Sequence, residues 1–367
     1  MNFRLNLILS ICVFSIALNA CQTTGEIAQT GPTFKSQKFL VETVISKPLS
    51  SDIRGEIKFP SIPVISLKQF LRGEYRGFKS EISGFLSFPV QTEERKLPAI
   101  VIMHGQGGIS FYERNWERFF NGLGFATFVV DSNTGRSCTQ YIGGCAAQHQ
   151  GMANIVDAYQ ALNLIRSHPK IDKDKIILFG LSIGGKVALY SGMQRFQRLW
   201  GRNNQKFIGY IALYPPCNIA FEDDHLMDGS PVRIYIGEKD EWASASTCAA
   251  YADRLRTDEK NVKVTIYKNA HHGFDTMGPE GPGGFDVPAW LHANCVFKED
   301  RNLGDVPQQV VQVLPLGVGK KPTLQRIAFL MYSEGCTTSS GRLEYDASAS
   351  AEAFREIREF LMTLNGS

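Results

Sequence analysis

The chain has 367 residues, room for one large domain or two modest ones, and its 43% hydrophobic and 20% charged residues describe an ordinary globular protein with ample core. A formal net charge of +3 without a basic stripe provides no electrostatic footprint for nucleic acid, so none is expected as a partner. There is no repeat, heptad or long low-complexity tract.

The first residues read as a targeting segment. Met1–Asn6 carries Arg4, and Leu7–Leu18 is a compact apolar run too short to span a bilayer comfortably. Residues 1–20 are therefore expected to be a signal peptide. Leu18-Asn19-Ala20-Cys21 resembles the lipobox of bacterial lipoproteins, in which the cysteine becomes the lipidated first residue. Asn19 is less usual there, and a plain secretory signal cleaved nearby is the alternative. Either way the expected location is outside the cytoplasm: periplasmic, or held to a bacterial membrane by a lipid on Cys21. Residues 21–36 are polar and suit a flexible tether. The folded domain is expected over 37–367.

From about 37 to 95 the pattern is β-rich, with Gly55–Phe59 and the alternating Glu81–Phe88 as antiparallel strands and Gln91–Lys96 as a charged turn. Leu97–Met103 reads as a buried strand ending in His104-Gly105-Gln106-Gly107-Gly108. A helix is predicted over Trp116–Leu123, a strand over Phe125–Val130 and a helix over Ala153–Ser167. Ile176–Phe179 is another buried strand, followed by a helical pattern from Gly185. Strands are expected at Phe207–Leu213, Arg233–Ile236 and Val262–Tyr267, with helices at Cys248–Arg256 and Ala351–Leu364. Strands alternating with helices argue for an α/β fold, a mostly parallel doubly wound sheet with helices on both faces. A Gly/Pro-rich stretch with a Val/Leu-rich run at Val310–Val318 breaks this rhythm, and we read about 278–341 as an insertion, a hairpin near the site mouth.

Between the strand Ile176–Phe179 and its helix lies Gly180-Leu181-Ser182-Ile183-Gly184. Strand, G-x-S-x-G and helix form the context in which a serine serves as a nucleophile, since the sharp turn exposes it and the helix N-terminus offers N–H groups to an oxyanion. Such a serine needs a base oriented by an acid. The strand Arg233–Ile236 runs into Gly237-Glu238-Lys239-Asp240-Glu241, and Val262–Tyr267 runs into His271-His272-Gly273-Phe274-Asp275. The order serine, acid, histidine is the one this fold requires. Asp240 is the expected acid, with Glu238 and Glu241 as neighbours. His272 is preferred as base over His271. Backbone N–H groups of Ile183 and Gln106 are the expected oxyanion donors.

These four motifs, His104–Gly108, Gly180–Gly185, Gly237–Asp240 and His272–Asp275, resemble the dienelactone hydrolase family of the α/β-hydrolase superfamily across roughly residues 80 to 275 and the last helix. The resemblance implies an α/β-hydrolase fold, Ser182, Asp240 and His272 as a triad, and Gln106 at the oxyanion hole. The dienelactone hydrolases proper use a cysteine nucleophile and a glutamate after the strand that here ends at His104. This chain has Ser182 and Gly105 at those places, and ordinary ester hydrolysis is the inference. The expected function is a serine hydrolase of a small-molecule carboxylic ester or lactone, through an acyl-enzyme, with no metal or organic cofactor. The alternatives are a prolyl-oligopeptidase-like peptidase, which about 75 residues of preceding sequence cannot furnish with a propeller, and a non-catalytic surface binding lipoprotein.

Export also bears on the cysteines. With Cys12 and Cys21 in the signal, six remain, and an oxidising compartment predicts three disulfides. No C-x-x-C pair points to zinc. We expect pairing in sequence order. Cys138–Cys145 would close a local loop. Cys217–Cys248 would join the ends of adjacent parallel strands. Cys295–Cys336 would pin the insertion beside His272.

Overall fold

A computed structural model describes residues 37–38, 47–63, 65, 67–90, 95–136, 151–202, 205–256, 261–278, 281–291, 293–299 and 338–366. The expected lipidation site Cys21, the pair Cys138–Cys145, Cys336 and the run Val310–Val318 lie outside the described residues.

The central sheet has eight strands: β1 (Gly55–Ser61), β2 (Ser80–Ser87), β3 (Leu97–Met103), β4 (Ala126–Asp131), β5 (Ile171–Leu181), β6 (Tyr210–Leu213), β7 (Val232–Gly237) and β8 (Val262–Tyr267). Their spatial order is β1-β2-β4-β3-β5-β6-β7-β8. β1 and β2 pair antiparallel and β2 meets β4 antiparallel, while β4 through β8 are parallel throughout. The antiparallel edge and the parallel remainder are the arrangement expected from the sequence.

The helices are α1 (Leu67–Arg72), α2 (Phe111–Gly122), α3 (Met152–Ile165), α4 (Ile183–Ser191), α5 (Gln194–Trp200), α6 (Ala245–Arg256) and α7 (Ala347–Asn365). Every residue from Ile176 to Leu181 is buried, as a strand covered on both faces demands. Phe179 points to one layer, packing on Trp116 and Phe120 of α2, and Trp116 stacks on Phe354 of α7 with centroids 4.0 Å apart. Gly180 points the other way, toward the first turn of α4. There Tyr159 of α3 donates its hydroxyl to the Ser191 carbonyl, and Tyr190 of α4 meets Tyr251 of α6 edge to face.

α2 begins at Phe111, well before the predicted Trp116. Ser110 caps it with its side chain on the Tyr112 N–H, and Glu113 returns a carboxylate to the Ser110 N–H in a capping box. The start is set by this cap, a polar signal that apolar periodicity does not register. On the sheet's other flank Arg136 forks onto the fully buried Asp157 of α3 at 2.7 Å and also donates to the Ile62 carbonyl. This pair ties the segment after β1 to the sheet.

The two ends of the expected insertion form an antiparallel pair, Phe285–Leu291 with Thr338–Leu343. Leu343 makes a β-bridge to His272, so this pair does lie beside the histidine loop. Cys217 and Cys248 form a disulfide with Cα atoms 4.9 Å apart. Cys295 is also disulfide-bonded.

Candidate active site

Parallel strands deliver their C-terminal ends to one edge, and the register does so here: Met103 pairs with Gly180, Leu181 with Leu213, Leu213 with Tyr235, and Gly237 with Tyr267. The loops that follow β3, β5, β6, β7 and β8 therefore converge, although they are scattered between His104 and Asp275 in the sequence. Each of the expected site residues Gln106, Ser182, Ile183, Asp240 and His272 is on one of these loops or at a helix start.

Ser182 joins β5 to α4 with φ 53° and ψ −114°, a backbone conformation that L-residues seldom adopt. Its neighbours make the turn sterically possible. A Cβ on Gly180 would lie 2.0 Å from the Gly184 carbonyl oxygen, and one on Gly184 would lie 2.0 Å from the Met103 oxygen. The glycines thus let β3, β5 and α4 approach within backbone contact. The Ser182 N–H donates to the Leu213 carbonyl at 2.9 Å, which sets the elbow against β6.

The Ser182 hydroxyl lies 3.0 Å from Nε2 of His272, and Nδ1 of His272 lies 2.8 Å from Oδ2 of Asp240. Asp240 Oδ1 accepts the N–H groups of Trp242 and Ala243, each at 2.8 Å. A carboxylate so placed accepts the imidazole Nδ1–H, which leaves Nε2 as the acceptor for the serine hydroxyl. The side chains of Asp240 and His272 are 0% and 6% exposed, so little water competes for these bonds.

The loop after β3 faces the serine from the other side, with Ser182 Cβ within 3.7 Å of where a Cβ of Gly105 would be. His104 is buried beneath it, donating from Nδ1 to the Gly105 carbonyl and accepting the Ser132 N–H on Nε2. Glu113 braces the loop, for its Oε1 accepts the Gly105 N–H at 3.1 Å while Oε2 accepts the Ser110 N–H and hydroxyl. The Ile183 N–H belongs to the first turn of α4, where no intrahelical acceptor exists. Gln106 is an exposed residue in the turn of the opposing loop.

Other neighbours fall into supporting places. Glu238 accepts the Asn269 N–H and Glu241 accepts the Arg342 N–H, so neither carboxylate is on the imidazole. His271 lines a cavity of about 540 Å³ formed on the acid loop itself, together with Lys239, Asp240 and Glu241. Among the described residues no cluster of three or more His, Cys, Asp or Glu could hold a metal ion. Sequence reasoning missed Glu113, Tyr214 and Trp242, and it named Asp275 only as the last residue of the His272–Asp275 motif, without a role. The Ser110-x-x-Glu113 capping box was the available signal for Glu113; Tyr214 and Trp242 carried none.

A mostly parallel sheet with a serine elbow at its C-terminal edge is an α/β-hydrolase architecture, and the family to which the sequence belongs makes the protein a carboxylic ester hydrolase. The chain belongs to the dienelactone hydrolase family, whose sequence profile matches residues 82–293. An uncharacterized protein of Caenorhabditis elegans is 30% identical over 123 residues, covering 34% of this chain and 72% of that protein. Among solved structures, Thermogutta terrifontis esterase 2 phosphorylated by paraoxon is similar at 18% identity and TM-score 0.44, over 54% of this chain and 81% of its own. The propionate-bound form of that esterase is similar at 17% identity and the same TM-score of 0.44, over 54% and 82%.

Proposed function

We propose that the chain hydrolyses small-molecule carboxylic esters by a serine acyl-enzyme route. The observation that carries this reading is the unbroken line from Asp240 through His272 to Ser182, at 2.8 and 3.0 Å, with the serine on a positive-φ elbow. Ser182 Oγ attacks the ester carbonyl while its proton passes to His272 Nε2. Asp240 holds the imidazole tautomer and stabilises the imidazolium. The oxyanion is received by the N–H groups of Ile183 and Gln106. Collapse breaks the bond to the alkoxy group, which leaves with the proton from Nε2. Water, deprotonated by the same nitrogen, then releases the acid and restores Ser182.

Export is part of the same reading. Arg4 and the Leu7–Leu18 run support a signal peptide, Cys21 a lipid anchor, and the Cys217–Cys248 disulfide an oxidising compartment. The remaining expected bridges are Cys138–Cys145 and Cys295–Cys336.

The test is labelling by a fluorophosphonate together with hydrolysis of p-nitrophenyl esters. Both should vanish in Ser182→Ala, with a loss on the order of 10⁶ in kcat. Labelling that survives in Ser182→Ala refutes the nucleophile.

A further inference from the structure

We infer that Tyr214 and Asp275 are positioning residues for His272, a role that rests on the triad reading above. Tyr214 is the first residue past β6 and adopts φ 38°, a conformation an L-residue enters only when its surroundings hold it there. Its N–H donates to the Tyr235 carbonyl at 2.6 Å. Its ring lies against the His272 imidazole, centroids 4.5 Å apart and planes 59° apart. Its hydroxyl donates to Asp275 Oδ1 at 2.8 Å.

Asp275 is 1% exposed and accepts three side-chain donors. Besides Tyr214 these are Trp116 Nε1 at 2.6 Å and the Thr276 hydroxyl at 3.1 Å, both on Oδ2. Burial raises its pKa above the usual carboxylate range, and the three donors oppose that rise. A carboxyl group buried with neutral partners alone is costly, and a well-packed apolar residue would serve stability as well.

What Asp275 does is link the loops that carry the reaction. It stands three residues after His272 and reaches Trp116 on α2, the helix whose first turn holds Glu113 beneath the Gly105 loop. Through Tyr214 it reaches the end of β6, where the Leu213 carbonyl accepts the Ser182 N–H. Two hydrogen bonds hold the imidazole within its own plane but leave it free to tilt. The Tyr214 ring opposes that tilt, and the Asp275 carboxyl keeps the phenol from turning away. Trp242 adds a second ring contact at 5.8 Å. Asp275 therefore acts on His272 through Tyr214, without touching substrate.

Tyr214→Phe and Asp275→Asn test this, read as kcat and KM on a p-nitrophenyl ester and as the proton resonance of His272 Nδ1–H. We expect kcat to fall on the order of tenfold to a hundredfold with KM within about twofold, and the Nδ1–H signal to broaden and exchange faster. If both variants keep kcat within about twofold of the native value, the positioning role is wrong, whatever happens to Tm. Should the variants fail to fold, the ¹⁵N-labelled native protein decides. A slowly exchanging Nδ1–H close to the Tyr214 ring protons is expected, and rapid exchange overturns the inference. Full activity in Ser182→Ala would instead overturn the triad reading, and the inference with it. Loss in Ser182→Ala with unaffected Tyr214→Phe and Asp275→Asn overturns the positioning role alone.

Discussion

Replacing Asp240 by Asn probes the site at the point where geometry decides the outcome. The native carboxylate uses Oδ1 for two backbone N–H groups and Oδ2 for the imidazole. An Asn carboxamide must choose which of these positions receives its NH2. Placing it against Trp242 N and Ala243 N would lose two hydrogen bonds and oppose donor to donor, at roughly 1–3 kcal/mol for each unsatisfied group. Placing it against His272 keeps both backbone bonds and reverses the bond to the imidazole, so this orientation wins by roughly a few kcal/mol. Nδ1 must then present a lone pair, the proton moves to Nε2, and Nε2 can no longer accept from Ser182. The expected loss is roughly 10⁴ in kcat, about 5 kcal/mol of transition-state stabilisation, with the fold intact. Steady-state hydrolysis of a p-nitrophenyl ester, with circular dichroism as a control, measures it. The reasoning is refuted if Asp240→Asn stays within about tenfold of the native kcat, or if Glu238→Gln or Glu241→Gln proves as damaging.

Other substitutions test the scaffold. Gly184→Ala brings a Cβ against the Met103 carbonyl, and we expect a lower Tm with about a hundredfold loss of activity as the elbow shifts by about an ångström; native activity would show that the close approach is dispensable. Arg136→Met leaves Asp157 buried without its cation and should destabilise by roughly 3–5 kcal/mol in urea unfolding, while Arg136→Met with Asp157→Leu should recover much of this. Reducing Cys217–Cys248, which spans 31 residues, should cost about 3–4 kcal/mol in the chain-entropy account, and peptide mapping should find those two cysteines linked. Lys186 on α4 is buried, and its ammonium pKa falls from the ordinary 10.5 to about 8. Between those values the unfolded chain binds the extra proton, so stability rises with pH there; below about 8 the buried charge disfavours folding by on the order of 3 kcal/mol. Lys186→Met should therefore raise Tm at neutral pH, and the gain should shrink above pH 8 and vanish past 10.5.

Features that depend on near neighbours were legible in the order of residues. The runs Leu97–Met103 and Val262–Tyr267 coincide with β3 and β8 because strand formation there needs only apolar, β-branched residues between turn formers. The Gly180–Gly184 turn was equally legible, since its glycines are demanded by contacts with the strand and helix they join. Chain order narrowed the acid to three carboxylates and the base to two histidines. Within that set Asp240 and His272 were the preferred pair, and theirs are the side chains that meet at 2.8 Å, whereas Glu238 and Glu241 face backbone N–H groups of Asn269 and Arg342. The Asp275 partners Trp116 and Tyr214 lie 159 and 61 residues away. No periodicity records such a meeting, because it arises from how α2, β6 and the histidine loop pack at one sheet edge. Chemistry-bearing residue types are written locally, whereas the burial and the donors that tune them come from chain segments brought together by the folded sheet.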